Sequence, residues 1–238
     1  DAAGRLARRL LTVAEEVGPD VQLQMPKKEL ASHLNLTSEA FSRTFGRLIE
    51  AGLIVEMGRW AIYEACRQLA DWRAAGLLMQ HVAVNLSPRQ LLDAELIPTI
   101  RSAVRRAGLA FSDLELELTE DLMIQNLPIV TDVLREIDGL GVHLSVDDFG
   151  TGYSALAYLA HLPLKRLKVD RSFVQGAVED PRAGEIVRAV VTMAKQLRLQ
   201  VTAEGIETEA QHRLVAEAGC ELGQGFLMAQ PMPPSQLL

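Results

Sequence analysis

The sequence predicts an α/β protein: a larger domain of parallel strands and covering helices, preceded by a small, mostly α, winged-helix-like domain. Three observations carry this. The 238 residues are 48% hydrophobic and 23% charged, too apolar for a disordered chain and enough for one medium domain plus a small one. From about Trp60 onward, short β-like runs alternate with helical runs, and such alternation implies parallel strands joined by right-handed crossovers. Before that point the apolar residues recur at helical spacing, broken by turn signals.

In the first stretch, Leu6, Leu10, Val13 and Val17 make one apolar stripe, as an amphipathic helix requires. Gly18-Pro19-Asp20 ends it with turn chemistry. Val21–Met25 alternates as a short strand would, and Pro26 suits the first turn of a helix over Lys27–His33. After the turn Leu34-Asn35-Leu36, Thr37 caps a third helix that buries Phe41, Phe45, Leu48 and Ile49 and ends at Gly52. Two short helices across a tight turn form a helix-turn-helix. Met25 to Arg43 resembles the DNA-binding domain of the catabolite-activator/fumarate-nitrate regulator family. The resemblance implies that Glu39, Ser42 and Arg43 on the recognition helix contact bases in double-stranded DNA. The chemistry agrees, since arginine bridges two guanine acceptors and glutamate accepts from a cytosine amino group.

In the second part, Ile62, Ala65, Cys66, Leu69 and Trp72 mark a helix that ends at Gly76. Strands are expected over His81–Leu86, Leu114–Leu118, Val142–Val146, Leu164–Val169, Gln200–Ala203 and Gly223–Leu227. Helices are expected over Pro88–Ala107, Leu127–Leu140, Ala155–His161, Ala183–Leu197 and Thr208–Ala218. The junction Gly52–Arg59 reads two ways: the start of a wing hairpin, or the lead into the next helix. The domain boundary is drawn at 1–57 and 58–238.

Charge and cysteine usage exclude several functions. Residues 1–59 hold 8 basic and 8 acidic residues, so the net charge of −7 lies in the remainder. An acidic body does not bind polyanions by bulk charge. Cys66 and Cys220 lie far apart and near no histidine pair, which argues against a disulfide framework or a zinc site and for a reducing cytoplasm. No apolar run is long enough for a membrane span, and no signal core follows Asp1.

The expected strands share one property. Asn85, Glu117, Glu120, Asp147, Asp148, Lys168, Asp170, Glu204, Glu207 and Gln224 all stand at strand ends. Parallel folds of this kind gather their chemistry at the C-terminal strand ends. Carboxylates gathered on one rim repel each other unless cations sit among them. All-oxygen ligands suit Mg²⁺, Mn²⁺ or Ca²⁺. Adjacent Asp147 and Asp148 suit a pair of ions about 3.5–4 Å apart, an arrangement that hydrolyses phosphodiesters.

The same residues carry a second resemblance. Asn85-Leu86-Ser87, Glu117-Leu118-Thr119-Glu120, Asp147-Asp148-Phe149-Gly150-Thr151-Gly152-Tyr153-Ser154, Leu167-Lys168-Val169-Asp170, Ala203-Glu204-Gly205-Ile206-Glu207 and Gln224-Gly225-Phe226 stand in the order and spacing of the EAL-type cyclic-di-GMP phosphodiesterases. The resemblance runs from about residue 52 to 234. It implies a TIM-like barrel and hydrolysis of cyclic di-GMP to pGpG with two Mg²⁺ or Mn²⁺ ions. It implies Asn85, Glu117, Asp147, Asp148 and Glu204 as metal ligands, with Lys168 orienting or activating the attacking water. Asp147 and Glu204 join Lys168 in the catalytic set. Glu120, Asp170, Glu207 and Gln224 would support the site, and the Asp148–Ser154 loop, anchored by Glu120, would carry a homodimer contact.

One departure stands out. No Glu-Ala-Leu occurs in the chain, although that motif supplies the family's first metal-binding glutamate. The helix-turn-helix pattern stands where the first barrel strands are expected, so the barrel is read as incomplete and its first ion site as weakened. A fusion through the shared Gly52–Arg59 stretch accounts for both patterns. The alternatives are a regulator that senses cyclic di-GMP without cutting it and a fusion with neither activity.

Overall fold

The computed structural model describes residues 53–120, 127–150, 159 and 161–237. The helix-turn-helix expected within residues 1–52 lies outside the described residues, as does most of the helix expected at Ala155–His161. The chain forms two compact units, residues 1–110 with 232–238 and residues 111–231.

In the first unit, helix α1 spans Leu53–Ala74. It starts well before the expected Trp60, so the second reading of the junction is the observed one: there is a helix at 53–59 and no wing strand. The drawn boundary after residue 57 falls inside this helix. Ile62, Ala65, Cys66 and Leu69 are fully buried along its one apolar face, the i, i+3, i+4, i+7 stripe an amphipathic helix presents. Strand β1 is Val82–Asn85. The single helix expected at Pro88–Ala107 is two, α2 (Pro88–Leu91) and α3 (Leu96–Arg106). Ser87 caps α2 in a reciprocal capping box with Gln90. The break falls at Asp93, which takes both a bidentate ion pair from Arg59, at 2.8 Å at its shortest, and the N–H of Glu95. That side chain serves a partner 34 residues away, which propensity alone does not register.

The second unit contains strands β2 (Leu114–Thr119), β3 (His143–Phe149), β4 (Arg166–Val169), β5 (Gln200–Ala203) and β6 (Leu222–Gly223). Each pairs with its sequence neighbour in parallel, in the order β2-β3-β4-β5-β6. This is the sequential parallel order that strand–helix alternation produces. The intervening helices are α4 (Leu127–Leu140), α5 (Arg171–Gly176), α6 (Pro181–Gln196) and α7 (Glu209–Ala218). The expected last strand, Gly223–Leu227, is cut to two residues. Beyond Gly223 the backbone turns back on itself: Ile206 donates to the Gln224 carbonyl and Leu227 to the Ile206 carbonyl. A Cβ on Gly225 would lie 2.2 Å from the Ile206 carbonyl oxygen, so this crossing needs a glycine. Helix α5 was not expected from the sequence; Asp170 caps it by accepting the Ser172 N–H at 2.9 Å.

The strands sort their residues by parity, because successive side chains point to opposite faces. Leu114, Leu116, Leu118, Leu144, Val146, Leu167, Val169, Val201 and Ala203 form one buried apolar face. Helices α4 and α6 pack against strands of this sheet, bringing Val130, Leu134, Ile137, Val187, Val191 and Ala194 into the core. The opposite face carries Glu115, Glu117, Ser145, Asp147, Arg166, Lys168 and Thr202, all polar and almost all buried.

Candidate functional site

The polar face of the second unit converges on Lys168. Its ammonium lies 2.9 Å from Glu117 Oε1, 3.0 Å from Asp147 Oδ1 and 2.7 Å from Glu204 Oε1. One side chain therefore joins carboxylates from β2, β3 and the residue after β5. The register explains the convergence. Ser145 aligns with both Glu117 and Arg166, and Lys168 with Thr202, so Glu117 stands one step below Lys168 and Glu204 one step above it, within reach of the lysine side chain. Burial alone would push the Lys168 amine down. The three carboxylates outweigh it and hold the amine well above its ordinary range, so it is a fixed positive charge.

Asp148 joins this group through an irregularity in β3. In a regular strand Asp147 and Asp148 would point to opposite faces. The pairing of β3 with β4 shifts register between Val146 and Phe149, and Asp148 adopts φ +54. Aspartate is among the few residues that tolerate this left-handed region. Asp147 Oδ1 accepts the Asp148 N–H at 3.1 Å within the kink. As a result, carboxylate oxygens of Asp147, Asp148 and Glu204 lie within 4.8 Å of one another. Burial, then Asp147 and Asp170, hold the Asp148 carboxyl above its usual range. Glu204 is likewise raised, by burial first, with Lys168 opposing and Asp147 adding.

Four carboxylates around one ammonium leave a surplus of negative charge. The donors are all oxygen and partly buried, a set that fits hard divalent cations. Such an ion would balance that surplus, which adds to burial in raising Asp148 and Glu204. Asp147, Asp148 and Glu204 are the residues positioned to hold it, with Glu117 beside them through Lys168.

The remaining expected site residues are distributed around this group. Glu120 accepts the Gly150 N–H at 2.9 Å, tying the end of β2 to the turn after β3. Residues 151–154 of the proposed dimer loop lie outside the described residues. Asp170 sits at the end of β4 and faces Asp148 while capping α5. Glu207 accepts from Gln175 at 2.9 Å and is exposed. Gln224 contributes through its backbone, donating to the Ala203 carbonyl at 2.8 Å. Asn85 ends β1 in the first unit. Glu39, Ser42 and Arg43 lie outside the described residues.

Sequence reasoning missed the row of polar residues beneath this group. Glu115, Ser145, Arg166 and Thr202 are buried or nearly so, on the same face. The signal was present as alternation: Glu115 stands two before Glu117, and Arg166 two before Lys168. Ser145 Oγ and Thr202 Oγ1 are buried with no hydrogen-bond partner among the described residues, rare enough in folded proteins to mark a polar interior rather than a sealed apolar one.

Comparison with known proteins follows the same pattern. The EAL domain model matches residues 27–231, beginning inside the segment that resembles a helix-turn-helix. The bifunctional diguanylate cyclase/cyclic di-GMP phosphodiesterase MucR of Pseudomonas aeruginosa is 42% identical over 189 residues, 79% of this chain and 28% of that protein. The cyclic di-GMP phosphodiesterase PdeR of Escherichia coli is 37% identical over 213 residues, 90% of this chain and 31% of that protein. The chain thus spans less than a third of either relative. Among solved structures, the PaMucR phosphodiesterase in complex with c-di-GMP superposes with a TM-score of 0.76 at 40% identity, covering 85% of this chain and 81% of that one. The EAL domain of Mycobacterium smegmatis DcpA gives 0.74 at 36% identity, covering 78% and 83%. No described helix is long and apolar enough to cross a membrane. With the parallel sheet, the strand-end carboxylates and a family match over most of its length, the chain belongs to the EAL domain family.

Proposed function

We propose that this chain hydrolyses cyclic di-GMP to pGpG in the cytoplasm, with two Mg²⁺ or Mn²⁺ ions held by Asp147, Asp148, Glu204 and Glu117. The observation that carries the reading is the junction of Lys168 with three carboxylates from three different strands, beside the Asp147–Asp148–Glu204 oxygens. Relatives named as cyclic di-GMP phosphodiesterases support the substrate. When bound, the ions supply Lewis-acid polarisation of the phosphoryl group and neutralise its developing charge. The chain's own residues do the rest. Lys168 brings its N–H donors to the centre of the three carboxylates. It orients or activates the attacking water and stabilises negative charge. The family pattern adds Asn85 as a further ligand and Glu120, Asp170, Glu207 and Gln224 as supports.

The test is incubation of the purified chain with cyclic di-GMP and Mn²⁺, with pGpG as the readout. No product at high protein concentration, with Asp147→Asn indistinguishable from the unaltered chain, ends this reading. The missing Glu-Ala-Leu favours a second one, a sensor that binds the nucleotide without cutting it. Calorimetry would then show binding with no turnover.

The proposal extends to residues 1–57 as a DNA-binding module that reads double-stranded DNA through Glu39, Ser42 and Arg43, ahead of a partial EAL domain over 58–238. The Asp148–Ser154 segment is the proposed homodimer contact. Arg43→Ala should cost about 1–3 kcal/mol of specific binding and relax one base position. Equal affinity for random and promoter DNA would refute the module's role.

A further inference from the structure

The polar face of the second unit carries its charges in two rows. Side chains two apart on a strand share a face. Glu115 thus lies one step below Glu117 on β2, and Arg166 one step below Lys168 on β4. The lower row repeats the upper one. Arg166 on β4 reaches past β3 to pair with Glu115 on β2. Lys168 makes the same reach to Glu117 at 2.9 Å. Arg166 also donates to Gln200 Oε1 on β5 at 3.2 Å, as Lys168 meets Glu204 after β5. The lower pair is deeply placed, with the Glu115 side chain 2% exposed and that of Arg166 13%.

Two cations and two β2 carboxylates therefore stand on adjacent steps of the same strands. In the observed pairing each cation stays in its own row. A Glu115 that lost its arginine would draw Lys168 down, away from Asp147 and Glu204. An Arg166 that lost its glutamate would turn up toward Glu117. Burial makes both exchanges strong, because charges interact more strongly in the interior and an uncompensated buried charge is costly.

We infer that Glu115 and Arg166 form a positioning pair that keeps Lys168 in the upper row and Arg166 out of it. The pair thereby sets how much positive charge competes with divalent cations for Glu117, Asp147 and Glu204. The inference rests on the proposed metal-holding role of those carboxylates. It makes the two halves of one ion pair act in opposite directions, which a purely structural pair would not do.

The test is a calorimetric titration of the full chain with Mn²⁺ alone. Arg166→Met should bind Mn²⁺ about tenfold tighter and Glu115→Gln about tenfold weaker, at the lower end of what outer partners of a metal site control. The double variant should return to the affinity of the unaltered chain, and Arg166→Lys, which keeps the charge, should stay near it. If Arg166→Met fails to fold, Glu115→Gln and the double variant decide the matter between them. In hydrolysis assays Arg166→Met should lower kcat with KM unchanged, and the double variant should recover it. Weakening of Mn²⁺ binding by both single substitutions, or by neither, would overturn the inference, as would an unaltered chain that binds no Mn²⁺. A chain that binds Mn²⁺ but yields no pGpG ends the phosphodiesterase reading, while the titration still decides this one.

Discussion

The two faces of the second unit's sheet are made by the same five strands and are almost equally buried, yet they are held together differently. The face with Leu116, Leu144, Val146, Leu167 and Val201 is apolar and packed by helices. Its stabilisation is additive and tolerant of which residue supplies the volume. The face with Glu117, Asp147, Lys168 and Glu204 is charged, and each group depends on the others for its state. A buried network of this kind contributes little net stability when complete and a large penalty when one member is removed. The apolar face therefore supplies the fold, and the charged face supplies a site that the fold must carry.

The sharpest way to break this contrast is Lys168→Met. Removing the ammonium leaves Glu117, Asp147 and Glu204 facing one another. Turnover should fall by about 10²–10³, as loss of a preorganised charge does. The metal-free chain should lose about 3–5 kcal/mol, as when one partner of a buried pair is removed. Excess Mn²⁺ should recover part of that loss in a denaturation curve. Unchanged stability without metal would mean that the carboxylates do not depend on Lys168.

Leu144→Ala addresses the other face. Leu144 is fully buried beside Ser145 on β3, and its truncation should cost about 2–5 kcal/mol in chemical denaturation. Mn²⁺ affinity of the folded fraction should remain as in the unaltered chain. A parallel loss of metal binding would show that the two faces are not separable. The smallest effect is expected at the cap of α7. Thr208 there accepts the Gln211 N–H at 3.2 Å, and Gln211 reaches back to the Thr208 N–H at 2.9 Å. Thr208→Ala should lower the melting temperature by the equivalent of about 1 kcal/mol, with no change in kcat.

Much of this architecture was legible. Leu114-Glu115-Leu116-Glu117-Leu118 alternates without a break, and Gln200–Ala203 and Leu127–Leu140 begin and end where the pattern does. Elements were misjudged where a side chain serves a distant partner. Asp93 splits α2 from α3 because Arg59 holds it, and the last strand stops at Gly223 because the chain must cross the Ile206 backbone. Glu115 and Arg166 are not marked by a position at a strand end, because their role depends on standing one step below Glu117 and Lys168.

The sequence by itself determined the parity of every strand, hence which residues face apolar packing and which face the charged interior, because side chains alternate along an extended chain. It also determined the order of strands and which acidic residues stand at their ends. The tertiary structure decided what those residues do together. Parallel register sets Glu117 one step below and Glu204 one step above one lysine, within reach of its long side chain. A single left-handed residue, Asp148, turns two neighbouring carboxylates toward the same point. Neither the register nor the kink is encoded in local spacing; both follow from the backbone hydrogen bonds that strands make with one another.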